Sequence, residues 1–181
     1  MRKIIGFVGE IGCGKWTAID YLAAKYGAVS FRYSAILRTI LSSLFIPINR
    51  ENIQKLSTNL RQNFGQDLFA KVIAENIKKT SSEIIVVDWI RRIEDIEHIK
   101  DLDWFVLIYV ESDVNIRFDR TKNRWENLDE KNLTLEQFME NAKAETETRI
   151  KELKNISHFV INNDWKIENL YKEIDKIMNE L

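Results

Sequence analysis

The feature that most constrains this chain is a glycine-rich segment placed between an apolar run and an amphipathic stretch. The segment reads GEIGCGKWT over residues 9–17 and follows the β-branched run at residues 4–8. Glycines at such a junction let backbone N–H groups turn inward, and a following helix adds partial positive charge at its N-terminus. The pattern is typical of the phosphate-binding loop G-x-x-x-x-G-K-[ST]. It therefore predicts a strand, a phosphate-binding loop and a helix over residues 15–26.

One position of this loop departs from the pattern. The residue after Lys15 should carry a hydroxyl, whereas an indole stands there as Trp16. Lys15 is expected to lie against the β- and γ-phosphates of a triphosphate. Cys13, the only cysteine, excludes an internal disulfide; we interpret it as a small loop residue, with an oxidisable thiol as the alternative. The predicted nucleotide-binding residues of the loop are Gly9, Gly12, Cys13, Gly14, Lys15, Trp16 and Thr17.

Short β-branched runs alternate with longer stretches of helical period along the rest of the chain. This alternation predicts an α/β fold in which a parallel sheet is covered on both faces. The five predicted strands are residues 4–8, 28–31, 83–88, 105–110 and 158–161. The predicted helices are residues 15–26, 34–44, 50–63, 66–79, 93–100, 113–124, 135–155 and 167–179, the seventh with a capping-box pattern at Thr134 and Gln137.

Composition limits the classes of partner. The 181 residues carry 27 basic and 28 acidic groups, so a net charge of -1 gives no overall attraction to nucleic acid or to a membrane surface. The apolar run at residues 4–8 is too short for a signal-peptide core or a membrane span. We therefore expect one cytoplasmic domain that binds small molecules, with neither nucleic acid nor membrane as a partner; the oligomeric state is left open.

A carboxylate ends the most strand-like run of the sequence. Asp88 is followed by Trp89, Ile90, Arg91 and Arg92. Ligands of open α/β sheets bind outside the carboxyl ends of the strands, so Asp88 is a candidate for contact with magnesium-bound water or with an acceptor's proton. Arg91 and Arg92 would supply phosphate contacts beside it. The alternative is a strand-end acid paired with these arginines, which would contribute little stability.

The loop, the helical stretch at residues 34–79 and several arginines together resemble the P-loop nucleoside monophosphate kinases, including the adenylate and dephospho-CoA kinases. The resemblance spans the whole chain. Adenylate kinases often carry G-K-G-T, and Gly14-Lys15-Trp16-Thr17 matches this with Trp16 in place of glycine. It implies a three-layer αβα P-loop NTPase fold, with residues 34–79 as a helical acceptor-binding lobe and residues 117–134 as a lid region.

The resemblance also assigns roles to individual residues. It makes Thr17 the candidate magnesium ligand together with Asp88. The stretch YSAILR at residues 33–38 is similar to the family's T-G-D-L-L-R, so Ser34 and Arg38 become acceptor ligands, although Ala35 stands in place of the acid. Asn163 falls in a turn that the family places against the adenine of ATP.

A helix face in the lid region carries three arginines. Arg117, Arg120 and Arg124 recur at i, i+3 and i+7. The resemblance implies that such arginines close over the transferring phosphoryl group, where Arg120 and Arg124 would be catalytic with Lys15 and Asp88. A basic, solvated helix face paired with nearby acids is the alternative.

Four tryptophans stand where glycine would be the usual turn or close-approach residue: 16, 89, 125 and 165. One hypothesis is that their codons are UGA, read as glycine by the source organism. The other is that they are genuine aromatic platforms on which a base stacks.

The sequence thus predicts an enzyme that uses ATP and Mg2+ to transfer the γ-phosphate to a nucleoside monophosphate or related nucleotide. Dephospho-CoA is the rival acceptor. A nucleotide-binding protein made inactive by Trp16 is a further alternative. A GTPase-type regulator is disfavoured because no N-K-x-D tetrapeptide is present.

Overall fold

The computed structural model describes residues 2–102, 104–123, 133–141 and 145–181. These residues form five strands, eight α-helices and one 3-10 turn. In chain order the elements are β1 (Lys3–Val8), α1 (Lys15–Tyr26), β2 (Val29–Arg32), α2 (Tyr33–Ser43), α3 (Arg50–Phe64), α4 (Leu68–Lys79), β3 (Ile84–Asp88), the 3-10 turn Ile93–Asp95, β4 (Phe105–Glu111), α5 (Val114–Asn123), α6 (Leu135–Asn141), α7 (Glu145–Lys154), β5 (Phe159–Asn162) and α8 (Ile167–Glu180).

The five strands form one parallel sheet in the order β2-β3-β1-β4-β5. This confirms the predicted all-parallel sheet. The three central strands are apolar along nearly their whole length because helices cover both of their faces. Since β1 lies between β3 and β4, the glycine-rich loop that follows β1 emerges beside the carboxyl ends of both neighbours.

Two apolar layers flank the sheet, because successive side chains of a strand point to opposite faces. Ile5 and Phe7 of β1 pack with α1 and α8, whereas Ile4 and Val8 pack with the helices of the other side. The first layer receives Ala18, Ile19, Leu22, Leu170, Ile174 and Ile177; the second receives Leu37, Leu41, Phe69, Ile73, Ile77, Ile150 and Leu153.

The helix predicted over residues 93–100 is replaced by a single 3-10 turn, Ile93–Asp95, followed by further turns. The buried carboxylate of Asp95 accepts hydrogen bonds from the backbone N–H groups of Arg91 (2.9 Å) and Arg92 (3.1 Å). It also pairs with Arg61. These partners fix a tight turn that the local period of apolar residues does not reveal.

The remaining helices lie close to their predicted positions. The predicted helix over 135–155 corresponds to α6 and α7, and the capping box is confirmed by mutual hydrogen bonds between Thr134 and Gln137. Of the predicted lid region, residues 124–132 lie outside the described part of the chain. None of the described helices combines the length and the apolar character needed to cross a bilayer.

Candidate phosphate-transfer site

The glycines of the loop are required by close backbone packing. Gly9, Gly12 and Gly14 all have positive φ. A Cβ on Gly9 would lie 2.1 Å from the carbonyl oxygen of Val110, and one on Gly12 would lie 2.3 Å from that of Arg117. Any larger residue at these two positions would force the loop away from β4 and α5.

Lys15 begins α1 and reaches back across the loop. Its Nζ donates hydrogen bonds to the carbonyl oxygens of Gly9 (2.5 Å) and Glu10 (3.1 Å). The buried thiol of Cys13 lies 3.6 Å from the same ammonium. The cation is therefore fixed over the loop, the location that a phosphate-binding lysine requires.

Arg117 is buried against the loop and stabilises it, so this arginine does not belong to the basic, solvated helix face that was the alternative interpretation. The residue is 5% exposed. Nη2 lies 3.3 Å from a carboxylate oxygen of Glu10, and Nη1 donates to the carbonyl oxygen of Ile11 at 3.3 Å. Sequence reasoning missed this role, since the i, i+3, i+7 spacing gives no sign that Arg117 is buried.

Asn163 is brought to the loop by the last strand. It is buried, its Nδ2 donates to the carbonyl oxygen of Cys13 at 2.8 Å, and a Cβ on Gly14 would lie 2.2 Å from that nitrogen. The pKa of Asp164 is lowered because the backbone N–H of Asp113 and the Asn162 side chain donate to its carboxylate. These contacts tie the turn after β5 to both β4 and the loop.

Arg120, the second arginine of α5, lies beside Gly14 of the loop. Its Nη1 donates to the hydroxyl of Ser112 at 3.3 Å and would lie 3.9 Å from a Cβ on Gly14. Arg124, predicted to act with it, lies outside the described residues. Arg120 is therefore positioned to reach an anion held by the loop.

Asp88 lies at the carboxyl end of β3, where the sheet register places it opposite Arg32. It is 2% exposed, and one of its oxygens lies 3.6 Å from Nε of Arg32. Within the described part of the chain, no group donates a hydrogen bond to either carboxylate oxygen, and the buried hydroxyl of Ser34 likewise lacks a partner. A buried carboxylate that accepts no hydrogen bond is energetically costly in a folded chain.

Arg32 joins the loop side of the site to the Asp88 side. Its guanidinium carbon lies 3.9 Å from the ring centroid of Trp16, the residue after Lys15. Trp16 itself is 38% exposed. Sequence reasoning missed Arg32, although its place at the end of β2, on the same sheet edge as Asp88, was a usable signal.

The other predicted acceptor arginines are placed differently from one another. Arg38 is half-buried on α2, one turn after Ser34, with its Nε buried. The guanidinium carbon of Arg91 lies 5.1 Å from the ring centroid of Trp89. Arg92 turns to the junction of α3 and α4, where its Nη1 donates to Gln66 at 3.3 Å. Arg91 lies three residues after Asp88 in the chain, whereas the Arg92 side chain contacts the helical lobe.

Two sets of candidate metal ligands lie among the described residues. Thr17, half-buried in the first turn of α1, and the buried Asp88 are the two ligands that the sequence predicted. Asp67, Glu97 and His98 form a separate group whose ligand atoms lie within 4.8 Å of one another. Hydrogen bonds from His98 and Lys71 hold the pKa of Asp67 at about 2, and Asp67 is thereby occupied by partners of its own.

Comparison with known proteins gives relatives at moderate identity. The chain is 29% identical to a UPF0200/UPF0201 protein of Archaeoglobus fulgidus over 99% of its own length and 56% of that protein's length. It is 28% identical to the UPF0200 protein MJ1399 of Methanocaldococcus jannaschii, covering 98% of this chain and 90% of that one. Neither name states an activity. No protein-family model matches the chain.

Solved structures agree in fold. The shikimate kinase of Bacteroides thetaiotaomicron superposes with a TM-score of 0.63 at 10% identity, over 98% of each chain. A sugar kinase from a Janibacter species gives 0.60 at 11% identity, over 99% of this chain and 95% of that one. At such identities the likeness concerns the fold alone. With its parallel five-stranded sheet, its glycine-rich loop and these neighbours, the chain has a three-layer αβα P-loop NTPase fold of the kinase-like type.

Proposed function

We propose that this protein is an ATP-dependent phosphotransferase that moves the γ-phosphate of ATP to a small nucleotide-like acceptor. The observation that supports this most is the buried carboxylate of Asp88, which accepts no hydrogen bond from the described residues. This carboxylate pairs with Arg32, and the Arg32 guanidinium packs against Trp16, the residue after the loop lysine. A buried carboxylate near a phosphate-binding loop is a candidate for binding a metal ion or for contacting the reacting groups.

The donor side consists of the loop and two cations. Backbone N–H groups between Gly9 and Lys15 would hold the β- and γ-phosphates, and Lys15 would exchange its carbonyl partners for phosphate oxygens. Arg120, beside Gly14, would counter the charge that spreads over the transferring group. Arg117 and Asn163 would act indirectly, because they position the loop and do not contact the transferring group.

The acceptor side is the edge formed by β2, α2 and the segment after β3. Arg32 pairs with Asp88 and Arg91 follows Asp88 in the chain, and Arg38 on α2 would add a third guanidinium group. Planar guanidinium groups bind phosphate in a bidentate manner. The buried hydroxyl of Ser34 adds a neutral donor. A phosphorylated acceptor such as a nucleoside monophosphate matches this charge better than an uncharged alcohol does.

Asp88 is buried at the carboxyl end of β3, and its two oxygens accept no hydrogen bond from the described residues. It would orient the acceptor group, and it would accept the proton released when the attacking group is a hydroxyl, as in the rival acceptor dephospho-CoA. Thr17 and Asp88 would supply oxygen ligands for Mg2+, directly or through water, and the ion would neutralise phosphate charge.

Activity assays with ATP and Mg2+ test the proposal directly. A panel of nucleoside monophosphates, with dephospho-CoA as the rival acceptor, should reveal one substrate whose turnover requires Lys15. The Lys15→Ala variant should lose phosphoryl transfer yet unfold at an unchanged denaturant midpoint, and Lys78→Ala, on the exposed surface of α4, serves as the matched control. Unchanged turnover in Lys15→Ala would refute the proposal.

A second experiment separates the two sides of the site. Arg38→Ala should raise the acceptor KM much more than the KM for ATP, because Arg38 belongs to the acceptor edge. Equal effects on both constants would remove Arg38 from that role. ATP binding without transfer to any acceptor of the panel would instead favour the nucleotide-binding protein that Trp16 inactivates.

A further inference from the structure

Two tryptophans adopt a backbone conformation that suits glycine. Among the described residues, the non-glycine residues with positive φ are Phe45 (56°), Trp89 (70°) and Trp104 (62°). Bulky L-residues are rarely found in this left-handed region, because Cβ comes too close to the following carbonyl oxygen. Tryptophan supplies two of these three cases although it occurs only 5 times in the 181 residues.

Trp104 is an independent case. It was not among the tryptophans that turn chemistry singled out in the sequence, yet it has the same conformation as Trp89. Both residues sit at ends of strands, Trp89 directly after β3 and Trp104 directly before β4. Tight entries and exits of strands are positions at which glycine commonly supplies positive φ.

The local sequence repeats the same pair. Three of the five tryptophans follow an aspartate, as Asp88-Trp89, Asp103-Trp104 and Asp164-Trp165. Asp-Gly is a common turn dipeptide, and tryptophan has no comparable turn preference. The chain has only 6 glycines, whereas average usage of about 7% would give roughly 13 in a chain of this length.

Two of the tryptophan rings also flank the candidate site. The Trp16 ring lies against Arg32, which pairs with Asp88, and the Trp89 ring lies near Arg91. Trp16 further occupies the position after the loop lysine. Glycine at both positions would release Arg32 and Arg91 from aromatic contacts and clear the approach to the carboxylate of Asp88.

We infer that the tryptophan codons at positions 16, 89, 104 and 165 of this gene are read as glycine, so that the working protein carries glycine there. Trp125, named with them in the sequence, lies outside the described residues. A UGA codon translated as glycine accounts for all four positions by one cause. The alternative, genuine aromatic platforms for a base, explains neither the positive φ of Trp104 nor the repeated Asp-Trp pair.

The codons and the native protein give the direct test. The gene should contain UGA at these positions. Tryptic peptides of the protein isolated from its source, covering residues 16–25, 80–91 and 101–117, should each carry glycine in place of tryptophan. UGG codons at positions 16, 89 and 104, or peptides that contain tryptophan there, would overturn the inference.

A backbone test uses the recombinant chain. Glycine and alanine both remove the indole and differ only in Cβ, so comparing them at one position isolates the effect of φ. Gly should give a higher denaturation midpoint than Ala at positions 89 and 104, whereas at position 16, inside α1, Ala should give the higher midpoint. A denaturation midpoint of the alanine variants equal to or above that of the glycine variants at both positions 89 and 104 would overturn the argument from positive φ. Neither test depends on phosphoryl transfer, so each stands apart from the proposed function.

Discussion

Replacement of Arg61 by methionine should show how much a buried ion pair contributes to the free energy of unfolding. Nη2 of Arg61 lies 2.6 Å from Oδ1 of Asp95, with side-chain exposures of 5% and 2%. The guanidinium carbon also lies 4.7 Å from the ring centroid of Phe69. Methionine preserves much of the apolar stem and removes the charge.

The expected loss follows from what remains around Asp95. Removing one partner of a buried pair costs about 3–5 kcal/mol, because the other charge stays buried without compensation. Asp95 keeps its two hydrogen bonds from the backbone N–H groups of Arg91 and Arg92. We therefore expect a loss near the lower end, about 3 kcal/mol, in the free energy of unfolding.

Urea denaturation followed by far-UV circular dichroism measures this loss. Lys55→Met is the matched control, because Lys55 lies on the same helix and forms an ion pair with Glu51 of the same length, 2.6 Å, at exposures of 68% and 72%. Exposed pairs of this kind contribute little to stability, because solvent screens the attraction. Losses of similar, small size in both variants would refute the reasoning that burial decides the energetic effect.

Three further outcomes are expected. Asn163→Ala should lower the free energy of unfolding by about 1–3 kcal/mol and weaken ATP binding, because the Cys13 carbonyl loses a buried hydrogen-bond donor. Urea titration measures the first effect and calorimetry the second. An unchanged ATP affinity would show that Asn163 does not position the loop. Asp67→Asn should lower the melting temperature near neutral pH. The difference in melting temperature between the two proteins should vanish as the pH falls from about 4, the usual carboxyl pKa, through the folded pKa of about 2, because protonation of Asp67 then removes the same charge. A difference that persists at the lowest pH would contradict this. Trp16→Gly should tighten ATP binding by roughly 1–3 kcal/mol in calorimetric titration with Mg2+, because the indole crowds a loop that depends on close backbone approach; equal or weaker binding would show that the ring stacks productively.

Much of the fold is determined by local sequence patterns. The strand-like runs and the apolar periods of α1 to α5 and α8 predict element type because side-chain direction repeats at 2.0 or 3.6 residues. The glycine-rich loop identifies the strand–loop–helix unit, and with Asp88 at a strand end it places the candidate site at the carboxyl edge of the sheet. These features depend on residues close together in the chain, so the sequence alone was sufficient.

Contacts between distant segments were decided by the tertiary structure. Arg117 and Arg120 share one helix, but only the packing of α5 against the loop buries the first and leaves the second beside Gly14. Arg32 acquires its place from the register of β2 against β3, and the 3-10 turn at Ile93–Asp95 exists because Arg61, from another helix, pairs with Asp95. Ion pairs and hydrogen bonds of this kind join residues tens of positions apart, and no local period records which partners the folded chain brings together.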